Sequence, residues 1–259
     1  MKIAIKSELV YSFAPSTQII ASLEASHTDD QTIVSEKLVF DPPAELLRDI
    51  SPAGDRSIRA CLSGEVAIRY DAVVENRLRQ LLPASGQQHV WSELPHDVLP
   101  FLLPSRFCPS DKFMRFAQRE FASAGDGVAR VMAILNWISR NIDYVAGVSD
   151  AETTAERTFV DRAGVCRDFT HLGITLTRAL GIPARAVSAY ALDLNPPDFH
   201  AVFEVYLDNS WWLIDPTRLA PVAGIVRIGN GRDASDIAFL TSDKQCQVLR
   251  QSISVTAAA

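Results

Sequence analysis

The chain has 259 residues, room for one large domain or two modest ones. Hydrophobic residues make up 47% and the formal net charge is −6, so a sizeable core is available and a basic nucleic-acid surface is excluded. The four cysteines, Cys61, Cys108, Cys166 and Cys246, include no CxxC pair, which removes zinc-knuckle and thioredoxin-type motifs. Lys6 and Glu8 interrupt the apolar N-terminus, and no apolar run approaches ~20 residues, so the expectation is a cytoplasmic chain with reduced thiols and no membrane contact.

The first ~80 residues predict strands, because IAIKSELVYSF, TIVSEKLVF and GEVAIRYDAVVE mix β-branched and aromatic residues with polar alternation. DPPAE and SPAGD are turn clusters between them, and the pattern suggests a sandwich or small barrel. Cys61, His27 and His89 stand alone there and read as packing or surface residues. Prolines at 95, 100, 104 and 109 make residues 92–109 a connection, because proline lacks the backbone donor. The expected division is a β-rich domain over 1–95 and a second domain over 96–259. Ser110 can cap a helix carrying Phe113, Phe116, Ala117 and Phe121 on one face. Asp126 can open a second, where Val128, Val131, Met132, Leu135, Ile138 and Ile142 follow amphipathic spacing. Thr153 to Glu156 fits a capping box for a short third helix, with Gly164 ending that region. A fourth helix runs from about Cys166 to Leu180, with Val165, Phe169, Leu172, Leu176 and Leu180 as its buried stripe and Gly181 as its stop. ARAVSAYAL, HAVFEVYL and WWLID then read as strands, the last two joined by an Asp208-Asn209 hairpin turn.

These elements place three residues of interest. Cys166 opens a long buried helix, His200 begins a strand, and Asp215 ends its hairpin partner. A two-residue turn brings the outer ends of a strand pair together, so His200 and Asp215 should be neighbours. A helix N-terminus favours a thiolate, and the orphan donors of its first turn can receive an oxyanion. Gly164 leaves room for a substrate to approach. Alone, a cysteine at a helix start, a histidine before a strand and an Asp-Pro turn are each ordinary structure. Taken together they fit a nucleophile, base and orienter, or three unrelated structural residues.

At GVCRDFTHLGITLTRALGIPARAVSAYA, DFHAVFEVYL and WWLIDPT the chain resembles the transglutaminase-like superfamily of cysteine enzymes. The spacing is 34 residues from Cys166 to His200 and 15 more to Asp215. The likeness extends through AILNWISRNIDYVAGVS over roughly residues 95–240, and the front is similar to the N-terminal domain of bacterial members. The resemblance implies an α+β fold: a β-sandwich-like front, then a papain-like core with helices packed on an antiparallel sheet. It implies Cys166 as nucleophile, His200 as base and then acid, and Asp215 as orienter, with no metal and no cofactor. The implied reaction is attack on a peptide or protein amide, giving a thioester that water releases. Transfer to an amine, as in transglutaminases, is the alternative, and a non-catalytic binding protein of the same fold is a third. Animal enzymes and papain-like proteases carry Trp after the nucleophile; Arg167 stands here, so the glutamine specificity of the animal enzymes is not carried over.

Other polar residues read as structural. Asp168 suits the first helical turn and can pair with Arg167 or Arg185. His171 is set roughly 140° round the helix from Cys166, which points it away. Asp233 and Asp236 read as a solvated loop, Tyr144 as a core or hydrogen-bonding tyrosine, and one of Trp211 and Trp212 as buried by strand alternation.

Overall fold

The computed structural model describes residues 1–77, 79 and 81–258. Its front is one six-stranded antiparallel sheet centred on two long strands, β1 (Lys2–Ala21) and β4 (Arg56–Asn76). β2 (Gln31–Asp41) and β3 (Leu47–Ile50) both pair with β4. Period-two burial shows in Ile3, Ile5, Ser7, Leu9, Tyr11 and Phe13, which fill one face while Lys2 and Lys6 stay in water. A straight strand of this length would run roughly 65 Å. The β1–β4 register shifts between Phe13 and Thr17, beside Ser16 at φ 56°, and such bulges bend and twist a sheet.

Helices follow. α1 (Ser110–Phe121) and α2 (Val128–Asn141) precede the two-residue strand β5 (Asp143–Tyr144), the short α3 (Ala155–Asp161) and the two-residue β6 (Ala163–Gly164). α4 (Cys166–Ala179) leads to β7 (Ala184–Ala191), β8 (Phe199–Leu207), β9 (Ser210–Ile214) and β10 (Ile225–Gly231). These four strands form an antiparallel sheet in the order β10-β7-β8-β9. Asp208 and Asn209 take φ of 49° and 59°, the left-handed pair that a two-residue hairpin requires. The chain thus has the α+β architecture expected.

α4 is the axis of this half. Phe169, Leu172, Leu176 and Leu180 meet Phe113, Ala117 and Phe121 of α1 and Ile134 and Ile138 of α2. Ile174 instead joins the sheet core with Ala184, Phe203 and Val205. The helix is therefore buried on two sides, not along the single stripe its leucines suggest, and Val165 is only half-buried. Gly173 lets β8 approach, since a Cβ there would meet the Phe203 ring at 2.9 Å.

Three local expectations differ. Pro109, not Ser110, occupies the cap position of α1, and Ser110 is buried inside the first turn. Thr153 bonds Asp150 and Glu156 pairs with Lys112 at 2.9 Å, so no capping box forms on α3. The last strands, β11 (Leu240–Ser242) and β12 (Cys246–Ala257), pair with β1, so the chain's end joins the front sheet although a division at 95/96 assigns it to the second domain. The two sheets also share a core: Tyr190, Phe199, Val226 and Ile228 pack among the front residues, and the Tyr190 hydroxyl donates to the Leu23 carbonyl at 2.8 Å. Among the described residues no helix is long and apolar enough to cross a membrane.

Candidate active site

The start of α4 is fixed by its own sequence. Val165 is extended, and its N–H donates to Asp168 Oδ2 at 2.8 Å, satisfying a backbone donor at the helix entry. Gly164 makes this possible: a Cβ there would lie 2.6 Å from the Asp168 Cβ. The space read in the sequence as room for substrate is filled by Asp168. That carboxylate is fully buried and also pairs with Arg167 at 3.2 Å, while Arg185 pairs with Glu204 at 2.7 Å. Cys166 then stands half-buried at the first helical position.

His200 and Asp215 meet as the hairpin dictates. His200 Nε2 lies 3.0 Å from Asp215 Oδ2, and both side chains are buried. Asp215 is held in turn: Oδ2 also accepts the Ala220 N–H at 3.0 Å, and Oδ1 accepts the Thr217 N–H and hydroxyl at 2.9 and 2.7 Å. The other ring nitrogen, Nδ1, has no formed hydrogen bond and faces the Cys166 sulfur. Burial opposes a charge on this ring, but Asp215 and Cys166 outweigh it and lift the His200 pKa to about 9. Burial likewise works against the Asp215 carboxylate, and His200 and Thr217 together still hold its pKa below the usual value.

The family model described as the transglutaminase-like superfamily matches residues 115–216, a span that contains all three side chains. The crystal structure of a "putative cysteine protease" from Cytophaga hutchinsonii is 37% identical, covers 98% of this chain and 90% of its own, and superposes with a TM-score of 0.92. The chain belongs to the transglutaminase-like superfamily. An uncharacterized protein of Mycobacterium leprae is 26% identical over 193 residues, 68% of this chain and 67% of that protein. An uncharacterized protein of Mycobacterium tuberculosis is 27% identical over 144 residues, so the match spans about half of this chain and 46% of that relative.

In this superfamily member the surroundings of Cys166 decide between the two readings of Tyr144 and overturn that of Asp233. Tyr144 is not the core alternative: it is 46% exposed, its ring is tilted against Phe169 with centroids 5.8 Å apart, and its hydroxyl lies beside the backbone N–H and sulfur of Cys166. Asp233 is not solvated but 1% exposed, and it accepts the Phe107 N–H at 2.9 Å. Asp236 pairs with Arg232 at 2.8 Å. Phe107 stacks face-on against His171, with ring centroids 5.1 Å apart. His171 Nε2 accepts the Ala234 N–H, and burial drops its pKa to about 4, so the ring is a neutral support for the cleft wall. Trp211 and Trp212 are both half-buried, Trp211 under the Arg185 guanidinium at 4.1 Å and Trp212 against the sheet core.

A cleft of about 720 Å³ opens over Cys166 and His200. Phe107 and Ala234 line one side, and Tyr11, Leu240 and Gln251 bring the front sheet to it. Sequence reasoning missed Phe107, Asp198 and Gln251. Asp198 stands two residues before His200 and so carried a signal; Gln251 carried none, because only the return of β12 places it there.

Proposed function

We propose that the chain is a cysteine hydrolase acting on peptide or amide bonds. The observation that carries this reading is the buried His200 ring, set between Asp215 at 3.0 Å and the Cys166 sulfur, with its pKa lifted to about 9. That pKa keeps the ring charged at neutral pH, so an imidazolium faces the sulfur and its Nε2–H is held by Asp215.

The Cys166 thiolate adds to the amide carbonyl carbon. The resulting oxyanion collects at the first turn of α4, where the Cys166 N–H and the Tyr144 hydroxyl meet. The tetrahedral adduct collapses as His200 Nδ1–H protonates the departing amine, leaving a thioester and a neutral ring. Water then loses a proton to Nδ1 and adds to the thioester carbonyl. Collapse releases the acid and restores thiolate and imidazolium. An amine in place of water gives amide transfer by the same steps.

Alkylation of Cys166 by iodoacetamide against pH, with the site read by peptide mapping, tests the pair. A rate already high at mildly acidic pH in the parent, and lost in His200→Ala, is expected. A rate that rises only near the ordinary thiol pKa of ~8.5, unchanged by His200→Ala, would refute the reading. Peptide amides with and without added glycine methyl ester then separate release to water from transfer. Normal substrate processing by Cys166→Ala would show that Cys166 is not the nucleophile and would refute the reading.

A further inference from the structure

The cleft's charges do not balance evenly. Arg106 and Glu152 are both exposed there, and their segments are joined by the hydrogen bond from the Ala155 N–H to the Phe107 carbonyl at 3.0 Å. Opposite charges thus share that wall. Arg167 is paired with Asp168. Asp198, at the start of β8, makes no ion pair among the described residues. Its Oδ1 accepts only from neutral donors, the Gln251 amide at 2.6 Å and the Phe199 N–H at 2.7 Å. Gln251 belongs to β12, so the front sheet aims this carboxylate.

Asp198 lines the same cleft as Cys166 and His200 and stands two residues before His200. Burial, Cys166 and the Asp198 charge together push the Tyr144 pKa to about 12. Phe199, next to Asp198, stacks on Phe239, and Tyr11 and Leu240 add further apolar lining to the cleft. Asp198 is exposed, and an unpaired carboxylate at the rim of a cleft with apolar lining attracts a cation that brings its own apolar stem. Lysine and arginine side chains have both parts.

We infer that Asp198 selects substrates carrying a lysine or arginine side chain beside the scissile amide. The inference rests on the hydrolase reading for its substrate, but the charge field at Cys166 can be read without turnover. The probes are two methanethiosulfonates, one bearing a trimethylammonium group and one a sulfonate. In each, the thiolate attacks the sulfenyl sulfur, forms a mixed disulfide and releases methanesulfinate. Rates at Cys166 are followed at low salt by peptide mapping, in the parent and in Asp198→Asn. The ratio of cationic to anionic rate should fall about fivefold in the variant, and should shrink in the parent as salt rises. An unchanged ratio overturns the inference. Two peptide aminomethylcoumarin amides, differing only in lysine or norleucine beside the scissile bond, give the second arm. The parent should favour lysine in kcat/KM, and Asp198→Asn should bring the two together; a lysine preference that survives the substitution overturns the inference. If neither amide is cleaved while the reagent ratio falls, the hydrolase reading fails and the cation selectivity of Asp198 is supported.

Discussion

Asp215→Asn removes one charge from a pair whose geometry is otherwise complete. In the parent, Asp215 helps lift His200 from an ordinary 6.5 to about 9. Without the carboxylate only Cys166 opposes burial, and the pKa of the ring should fall from about 9 toward the ordinary 6.5. A complete return would correspond to about 3 kcal/mol shared between the charged ring and its two partners, of which Asp215 supplies a part. In that limit the charged fraction at pH 7.5 falls from nearly all to about one tenth, so Cys166 alkylation should slow by at most about tenfold from protonation alone. The amide adds a second cost. Both Asp215 oxygens accept a backbone N–H, from Thr217 and from Ala220. Either orientation of the Asn amide therefore sets its NH₂ against a backbone donor, costing about 1–3 kcal/mol.

The pH dependence follows from the signs of the two shifts. The folded pKa of His200 lies above its ordinary value, so its contribution to stability is whole below pH 6.5 and is lost as pH rises through about 9. Asp215 is held below 3.8, so its contribution is present above that value and is lost as pH falls through the lowered one. The stability gap between parent and Asp215→Asn should be widest between pH 3.8 and 6.5, and should narrow above pH 9 to the hydrogen-bond cost. Urea unfolding across pH 4–10 measures the gap, and iodoacetamide labelling measures the ring. A gap that stays flat with pH, with a labelling profile identical to the parent's, would refute the coupling of His200 to Asp215.

Three further outcomes are expected. Gly164→Ala should cost about 1–3 kcal/mol in urea unfolding and slow Cys166 labelling, because the new Cβ would meet the Asp168 Cβ at 2.6 Å and disturb the helix entry. Tyr144→Phe should lower kcat for amide cleavage about 10–100-fold and leave iodoacetamide labelling at the parental rate, since its hydroxyl sits beside the Cys166 N–H; equal losses in both assays would make it a support for the resting thiol instead. Arg227→Met should destabilise by about 3–5 kcal/mol in urea unfolding, because Arg227 bonds Asp30 at 2.7 Å and the buried Glu204 at 2.6 Å, leaving each with one fewer cation.

The half that holds Cys166, His200 and Asp215 was legible where local rules decide the outcome. The leucine spacing of α4, Gly181 at its end and the Asp208-Asn209 turn each depend on neighbours in the chain, and they brought His200 to Asp215. Side chains that answer to distant partners were not legible. Asp233 reads as a loop aspartate because nothing nearby announces that Phe107, 126 residues earlier, needs its N–H bonded. Tyr144 reads as a core or a hydrogen-bonding tyrosine, and its stretch does not say that its partners are the residues that open α4. Gly164 was understood as open space because the sequence does not show which way Asp168 turns. The caps of α1 and α3 failed for a related reason: Ser110 and Thr153 found burial or a loop partner that competed with the helix end.

The same limit explains why a two-domain division misses the cleft. A boundary near residue 95 follows the prolines, which mark a connection but say nothing about the chain's later course. β12 returns to pair with β1, and the linking charges follow it inward: Arg227 of β10 joins Asp30 of the front to Glu204 of β8, and Arg79 bonds Asp30 from the other side at 2.7 Å. Separating the halves would expose Tyr190 and Phe199 and leave Glu204 with Arg227 as a pair no longer tied to the front. Phe199 lies between Asp198 and His200, and its ring stacks on Phe239 with centroids 3.8 Å apart, just before β11 enters the front sheet. The strand that carries His200 is thus packed on one side by α4, which carries Cys166, and at its start by the front sheet. The front sheet is part of the cleft over Cys166 by the same contacts that make it part of the fold.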